Sequence, residues 1–216
     1  MDFSAARRNM VENQLRTNSI SDPRLAAALR DIPREIFLPR LLRPVAYVDQ
    51  DVDLGGGRVL ISPLVLARLL QGAGITGGDV VLAIGDATGW ASAVISRLAS
   101  TVVSLEQSPD LVSSANAALS DLGVDNVAMV VGPPAVGLPS QAPFDVIIFL
   151  GAIADIPMAV SRQLGDGGRL VAVVGGGGTG KCTQMVRVGD TFGRRVLSDA
   201  ATQWLPGLAP TAAFEF

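Results

Sequence analysis

The sequence predicts a doubly wound, mostly parallel α/β sheet, preceded by a helical N-terminal segment and finished by an antiparallel C-terminal edge. Between residues 80 and 174 lie five continuous apolar, β-branched runs, the pattern of strands buried on both faces. Amphipathic segments at helical period separate them, and strand–helix alternation implies a parallel sheet. The 216 residues are 49% apolar and 17% charged, enough for a full core in one domain. Residues 1–216 are therefore read as a single domain, with 1–60 as a helical extension and 61–216 as the α/β core.

In chain order, the first 45 residues read as helical. Ser21-Asp22-Pro23 opens a helix through a cap and a first-turn proline, and Pro33 closes it. Residues 46–60 read as irregular. Asp49, Asp51 and Asp53 alternate as in a calcium loop, but Leu60 stands where that loop needs a Glu, so no metal is expected. Ser62-Pro63 opens the next helix. The strands are then VVLAI (80–84), TVVSL (101–105), NVAMVV (126–131), DVIIFL (145–150) and RLVAVV (169–174). Ala91, Val94, Ile95 and Leu98 make one helical stripe between them, and Leu111, Ala115, Ala118 and Leu122 another. CTQMVRV and RRVLSD read as antiparallel strands.

Composition excludes several chemistries. There is no histidine and a single cysteine, Cys182, so His-based zinc sites, Ser-His-Asp catalysis and disulfides are ruled out. The longest uncharged apolar run, Val146 to Ala154, is about half of a membrane-spanning helix. No membrane partner is expected, and without a secretion signal the expected location is cytoplasmic. Residues 1–43 carry 8 arginines against 5 acids, but the signs are interleaved, which reads as a solvated face and predicts no nucleic-acid partner.

Three glycine-rich segments compete as ligand loops. Gly72–Gly77 matches G-x-G-x-x-G but follows a helix and precedes a strand, the reverse of a nucleotide loop, so it reads as a helix C-cap and turn. Gly175–Lys181 resembles a phosphate loop, but Cys182 replaces the Ser or Thr that would hold magnesium and no helix follows. A hairpin loop is favoured there over nucleotide hydrolysis. VVLAIGDATGW alone ends a strand and opens a helix. Gly85, Ala87 and Gly89 let backbone approach a ligand closely, and Glu106, at the end of the next strand, suits both hydroxyls of a ribose. Trp90 is too bulky for the third glycine of a dinucleotide fingerprint. The G-x-A-x-G spacing looks like an S-adenosylmethionine loop.

On these residues the chain resembles the protein-L-isoaspartate O-methyltransferases. The likeness runs through MVENQLR (10–16), IPREIFLP (32–39), AYVD (46–49), VVLAIGDATGW, NAALSDLGVDNV (116–127), APFDVIIF (142–149) and QLGDGGRLVAVVG (163–175). It implies a Rossmann-like methyltransferase sheet. It also implies S-adenosylmethionine as cofactor and methylation of isoaspartyl carboxylates in damaged proteins, whose esters cyclise and reopen toward normal aspartate. The expected partners are isoaspartyl proteins or peptides, and the expected state is a monomer.

The residues expected to bind the cofactor are Gly85, Ala87, Gly89, Glu106 and Gly132, together with Asp86 and Pro133, which stand where this sequence departs from the family pattern. The resemblance marks these and other departures. Ile61 occupies the position of the serine regarded as catalytic, with Ser62 one residue later as helix cap or displaced hydroxyl. Residues 59–63 would line the acceptor site, and Leu150-Gly151 would close it. Ala83 replaces an acid that orients the methionine portion, and Pro133 replaces one that receives the adenine amino group. Asp86 is either a partial substitute for the first or an exposed turn residue. A catalytically degenerate homologue, keeping the fold as a binding or scaffold protein, is the alternative these changes leave open.

Overall fold

A computed structural model describes residues 1–176 and 180–210. Helix α1 (Phe3–Asn9) is capped by Asp2, whose carboxylate accepts the Ala5 amide at 2.9 Å, and runs into a π-helical stretch at Met10–Leu15. Helix α2 (Pro23–Asp31) begins as its cap–proline pair dictates: Asp22 accepts from the Arg24 amide at 2.8 Å. Short 3₁₀ turns follow at Arg34–Phe37 and Arg43–Val45.

The segment read as irregular contains a hairpin instead, β1 (Val52–Gly55) against antiparallel β2 (Arg58–Leu60). Gly55, Gly56 and Gly57 turn it with φ of +84°, +61° and +73°, conformations that side chains disfavour. Helix α3 (Pro63–Ala73) starts at Ser62, whose Oγ accepts the Val65 amide at 3.2 Å, and ends at Gly74 in the left-handed region, so the first glycine segment is a helix end. It buries Leu66, Leu69 and Leu70, each contributing about 1.5–3 kcal/mol of apolar burial.

The α/β region contains β3 (Val80–Ile84), α4 (Trp90–Ile95), β4 (Thr101–Glu106), α5 (Pro109–Asp121), β5 (Val127–Val131) and β6 (Phe144–Ile153). Then come α6 (Met158–Ser161), β7 (Leu164–Val174), β8 (Lys181–Val188) and β9 (Thr191–Asp199). The seven-stranded sheet has the order β5-β4-β3-β6-β7-β8-β9, parallel up to β7 and antiparallel beyond it. Val81 and Ala83 face one core while Leu82 and Ile84 face the other, all four fully buried, which is why this strand's apolar run shows no alternation. The N-terminal segments pack into the first core through Met10, Leu15, Leu25 and Phe37. Chain order reverses between β3 and β6, a switch point where open α/β sheets bind ligands at the strands' carboxyl ends. No helix among the described residues is long and apolar enough to cross a membrane. Residues 177–179, within the phosphate-loop lookalike, lie outside the described residues; Lys181 begins β8, a strand.

Candidate active site

Leaving β3, the chain turns at Gly85 (φ +88°), whose amide donates to the Leu105 carbonyl at 2.8 Å. Asp86 then holds the loop. Its Oδ1 accepts the amides of Thr88 (3.3 Å) and Gly89 (2.9 Å), and its Oδ2 accepts that of Ser92 in the first turn of α4 (2.7 Å). At 4% exposure Asp86 is no surface turn residue, which removes that one of its two readings; its carboxylate bonds inward to local backbone, as short acidic side chains favour. Ala87 and Thr88 form one wall of an apolar cavity of about 320 Å³, faced by Ile36 to Pro39, Leu54 and helix α5. Gly89 (φ +85°) needs its missing side chain twice over, because a Cβ would stand 3.0 Å from that of Ala115.

Beneath the loop, Trp90 is fully buried with the Arg34 guanidinium 4.2 Å above its ring. Arg34 is itself fully buried and donates to the Ala46 carbonyl at 2.6 Å. Burial pushes its guanidinium down to about 9, against the pull of Asp51, Tyr47 and Asp49, so it stays charged at neutral pH. The Tyr47 hydroxyl donates to Glu35, and burial together with that carboxylate raises the phenol well above its usual range.

Glu106 ends β4 beside this loop, fully buried. One carboxylate oxygen accepts the Ser108 amide at 3.1 Å, and the other pairs with Arg58 of β2. The same guanidinium donates to the Gly85 carbonyl at 3.1 Å. The Gly132 amide donates to the Glu106 carbonyl at 3.0 Å, which brings that glycine to the site, whereas the side chain of Pro133 is exposed. Ala83 is fully buried within β3.

On the other side of the switch point, a cleft of about 410 Å³ is lined by Asp49, Gln50, Asp51, Ser62 and Ala201 to Trp204. Asp51 stitches its walls together, accepting the Ser62 amide (2.7 Å), the Thr202 hydroxyl (2.6 Å) and the Gln203 amide (2.9 Å). Ser62 borders this cleft and caps α3; Ile61 is 3% exposed and belongs to the first core. Gly151 lies under Leu205, which also packs against Gly85. This C-terminal strap is bonded to β6 through the Ala152 amide to Gln203 (2.8 Å) and the Leu205 amide to Ala152 (2.9 Å).

The profile described as Protein-L-isoaspartate(D-aspartate) O-methyltransferase matches residues 5–202. The chain belongs to that family. A protein-L-isoaspartate O-methyltransferase of Roseiflexus castenholzii is 38% identical over 199 residues, covering 92% of this chain and 91% of its own. One of Methanoculleus marisnigri is 39% identical over 188 residues, covering 87% and 84%. A solved protein-L-isoaspartate O-methyltransferase superposes with a TM-score of 0.78 at 25% identity, over 93% of this chain and 66% of that one. A Plasmodium falciparum structure titled as a complex with S-adenosyl-L-homocysteine has a TM-score of 0.77 at 16% identity and supports the fold alone.

Within this family fold, the structure gathers Gly85, Asp86, Ala87, Gly89, Glu106 and Gly132 around one end of β3 and β4 and sets Ser62 in a separate cleft. Ile61 is brought to neither. Two parts of the site were missed from sequence, Arg58 and the strap at 201–205. Arg58 had only one local signal, a lone charge directly after a glycine turn. The strap had the Trp204-Leu205 pair beyond the last predicted strand.

Proposed function

We propose that this chain transfers a methyl group from S-adenosylmethionine to the carboxylate of L-isoaspartyl residues in damaged proteins, as its family does. The observation that carries the reading is the meeting of Gly85, Gly132 and the Glu106 carboxylate at the sheet's switch point. These residues fit an adenosyl group on two conditions. Gly85 and Gly132 carry no side chain, but Leu205 and Leu105 stand 2.5 and 2.7 Å from where a Cβ would be. The Glu106 oxygens are held by Arg58 and the Ser108 amide, so a ribose gains its acceptor only when Arg58 leaves and Leu205 gives way. Bound there, the cofactor supplies an electrophilic methyl group on a sulfonium.

The chain's own task is then positioning. An acceptor carboxylate has a pKa near 4 and is ionised at neutral pH, so no general base is needed and the absence of histidine costs nothing. Ser62 Oγ accepts from Val65, which leaves its own proton free to donate to a carboxylate in the cleft it borders. Asp51 has both oxygens engaged by three donors, so it holds the wall. Leu205 packs over Gly85 and Gly151 and keeps water from that end of the sheet. In this reading the protein acts as a monomer in the cytoplasm, on protein substrates and without a nucleic-acid partner.

The test is methyl transfer from labelled S-adenosylmethionine to an isoaspartyl peptide, with the aspartyl isomer as control. Transfer no faster than in buffer removes the enzymatic reading. A second reading, a homologue that keeps the fold as a binding or scaffold protein, is favoured by the core position of Ile61 and by the Arg58–Glu106 pair. Turnover on the isoaspartyl peptide alone would exclude it.

A further inference from the structure

Both polar groups that an adenosyl ligand would meet first are bonded to one side chain. Arg58 is 9% exposed, and its Nη2 reaches the Gly85 carbonyl at 3.1 Å and one carboxylate oxygen of Glu106. We propose that Arg58 is an internal competitor for the cofactor seat and sets its affinity: the guanidinium holds Glu106 when the seat is empty and must leave before a ribose can bind. This inference rests on the reading of Glu106 as the ribose acceptor.

A fully buried carboxylate without a counter-charge is costly, and removing one partner of such a pair is strongly destabilising. Among the described residues Arg58 is the only cation paired with Glu106, whose other oxygen is taken by the Ser108 amide. A ribose brings two hydroxyl donors but no positive charge. It therefore replaces the hydrogen bonds of Arg58 and loses its electrostatic contribution, so every binding event works against the ion pair.

Two observations make release feasible. Arg58 Nε is buried without a partner, so the guanidinium is incompletely satisfied where it sits. Arg58 also directly follows Gly55-Gly56-Gly57, where an added Cβ at any of the three would meet nothing within 4 Å. The side chain thus enters the seat from a three-residue strand on an open glycine turn, while Glu106 is fixed inside the main sheet.

The experiment is calorimetric titration of the full chain with S-adenosylhomocysteine, for wild type, Arg58→Gln, Arg58→Lys and Glu106→Gln, alongside urea unfolding without ligand. Arg58→Gln is expected to bind about tenfold or more tighter than wild type, the worth of one charge-assisted hydrogen bond, and to be less stable when empty. Arg58→Lys, which keeps the charge but loses the planar fork, is expected to fall between them and carries the comparison if the glutamine variant does not fold. Glu106→Gln is expected to weaken binding. Equal or weaker binding by both Arg58 variants overturns the competitor role while leaving the seat intact. Absence of binding by every protein, Arg58→Gln included, refutes the seat at Glu106 itself and the competitor with it.

Discussion

Replacing Asp86 by alanine tests the loop most directly, because one carboxylate holds three backbone amides of the turn and of α4 at 2.7 to 3.3 Å. Hydrogen bonds to a charged group are worth about 1.5–3 kcal/mol each, and loss of a helix cap about 0.5–2 kcal/mol. The three bonds share one acceptor and part of the loop will rehydrate, so their losses do not add. A net cost of about 2–4 kcal/mol follows, or roughly 5–15 °C in Tm for a domain of this size. Asp86→Asn discriminates further. Both oxygens accept in the native loop, so an amide group must turn a donor toward either Gly89 or Ser92, and the isosteric change should recover less than half of the loss. Differential scanning calorimetry of the three proteins measures this. A Tm for Asp86→Ala within about 2 °C of wild type would show that the carboxylate does not organise the loop.

Ile61→Ser, which restores the family hydroxyl, should lower stability by about 2–4 kcal/mol in urea titrations without raising methyl transfer, because the side chain lies in the core. Gly151→Ala places a Cβ 2.7 Å from Leu205, so it should destabilise alone and be partly rescued by Leu205→Ala in a double-mutant cycle; strict additivity would refute the contact. Burial alone would raise the Asp79 carboxyl, but the Thr76 amide and the Arg169 guanidinium outweigh it and hold it below the ordinary value. That stabilisation is present above the unfolded value of about 3.9 and is lost as pH falls through the lower folded one. Urea midpoints between about pH 6 and pH 2 should therefore drop more steeply for wild type than for Asp79→Asn, and parallel curves would contradict the assignment. Burial pushes the Cys182 thiol up to about 11 against the pull of Arg68, so native protein near pH 8 should label with thiol reagents only as fast as it opens.

Much of the sheet was legible because its central strands are buried on both faces. Val81 to Ile84 and Val146 to Leu150 leave no polar position to blur the pattern. The cap–proline pairs at Asp22-Pro23 and Ser62-Pro63 likewise announce their helices through bonds only two or three residues long. Helix α4 ended sooner than its stripe suggested, at Ile95, and Leu98 follows in a turn. The hairpin of β1 and β2 escaped because its strands have only four and three residues and its charged positions mimic a loop. At the site, Gly85 and Glu106 were readable as punctuation at strand ends. The Arg58–Glu106 pair, 48 positions apart, was not, since no local period links a hairpin residue to the tip of a distant strand. Asp86 was left between two readings for a related reason: composition marks it as a turn residue, and only the fold tells whether such a residue faces water or its own backbone.

The strap through Gln203 and Leu205 has a consequence for biosynthesis. Every β-strand of the sheet precedes it, so a nascent chain can pair all seven while the ground above Gly85 and Gly151 is still wet. The cover over Gly85 and Gly151 would then form only after the segment 201–205 has been made and has docked on Ala152. Fragments stopping near Ala200 should keep the sheet but lose the cover over Gly85 and Gly151.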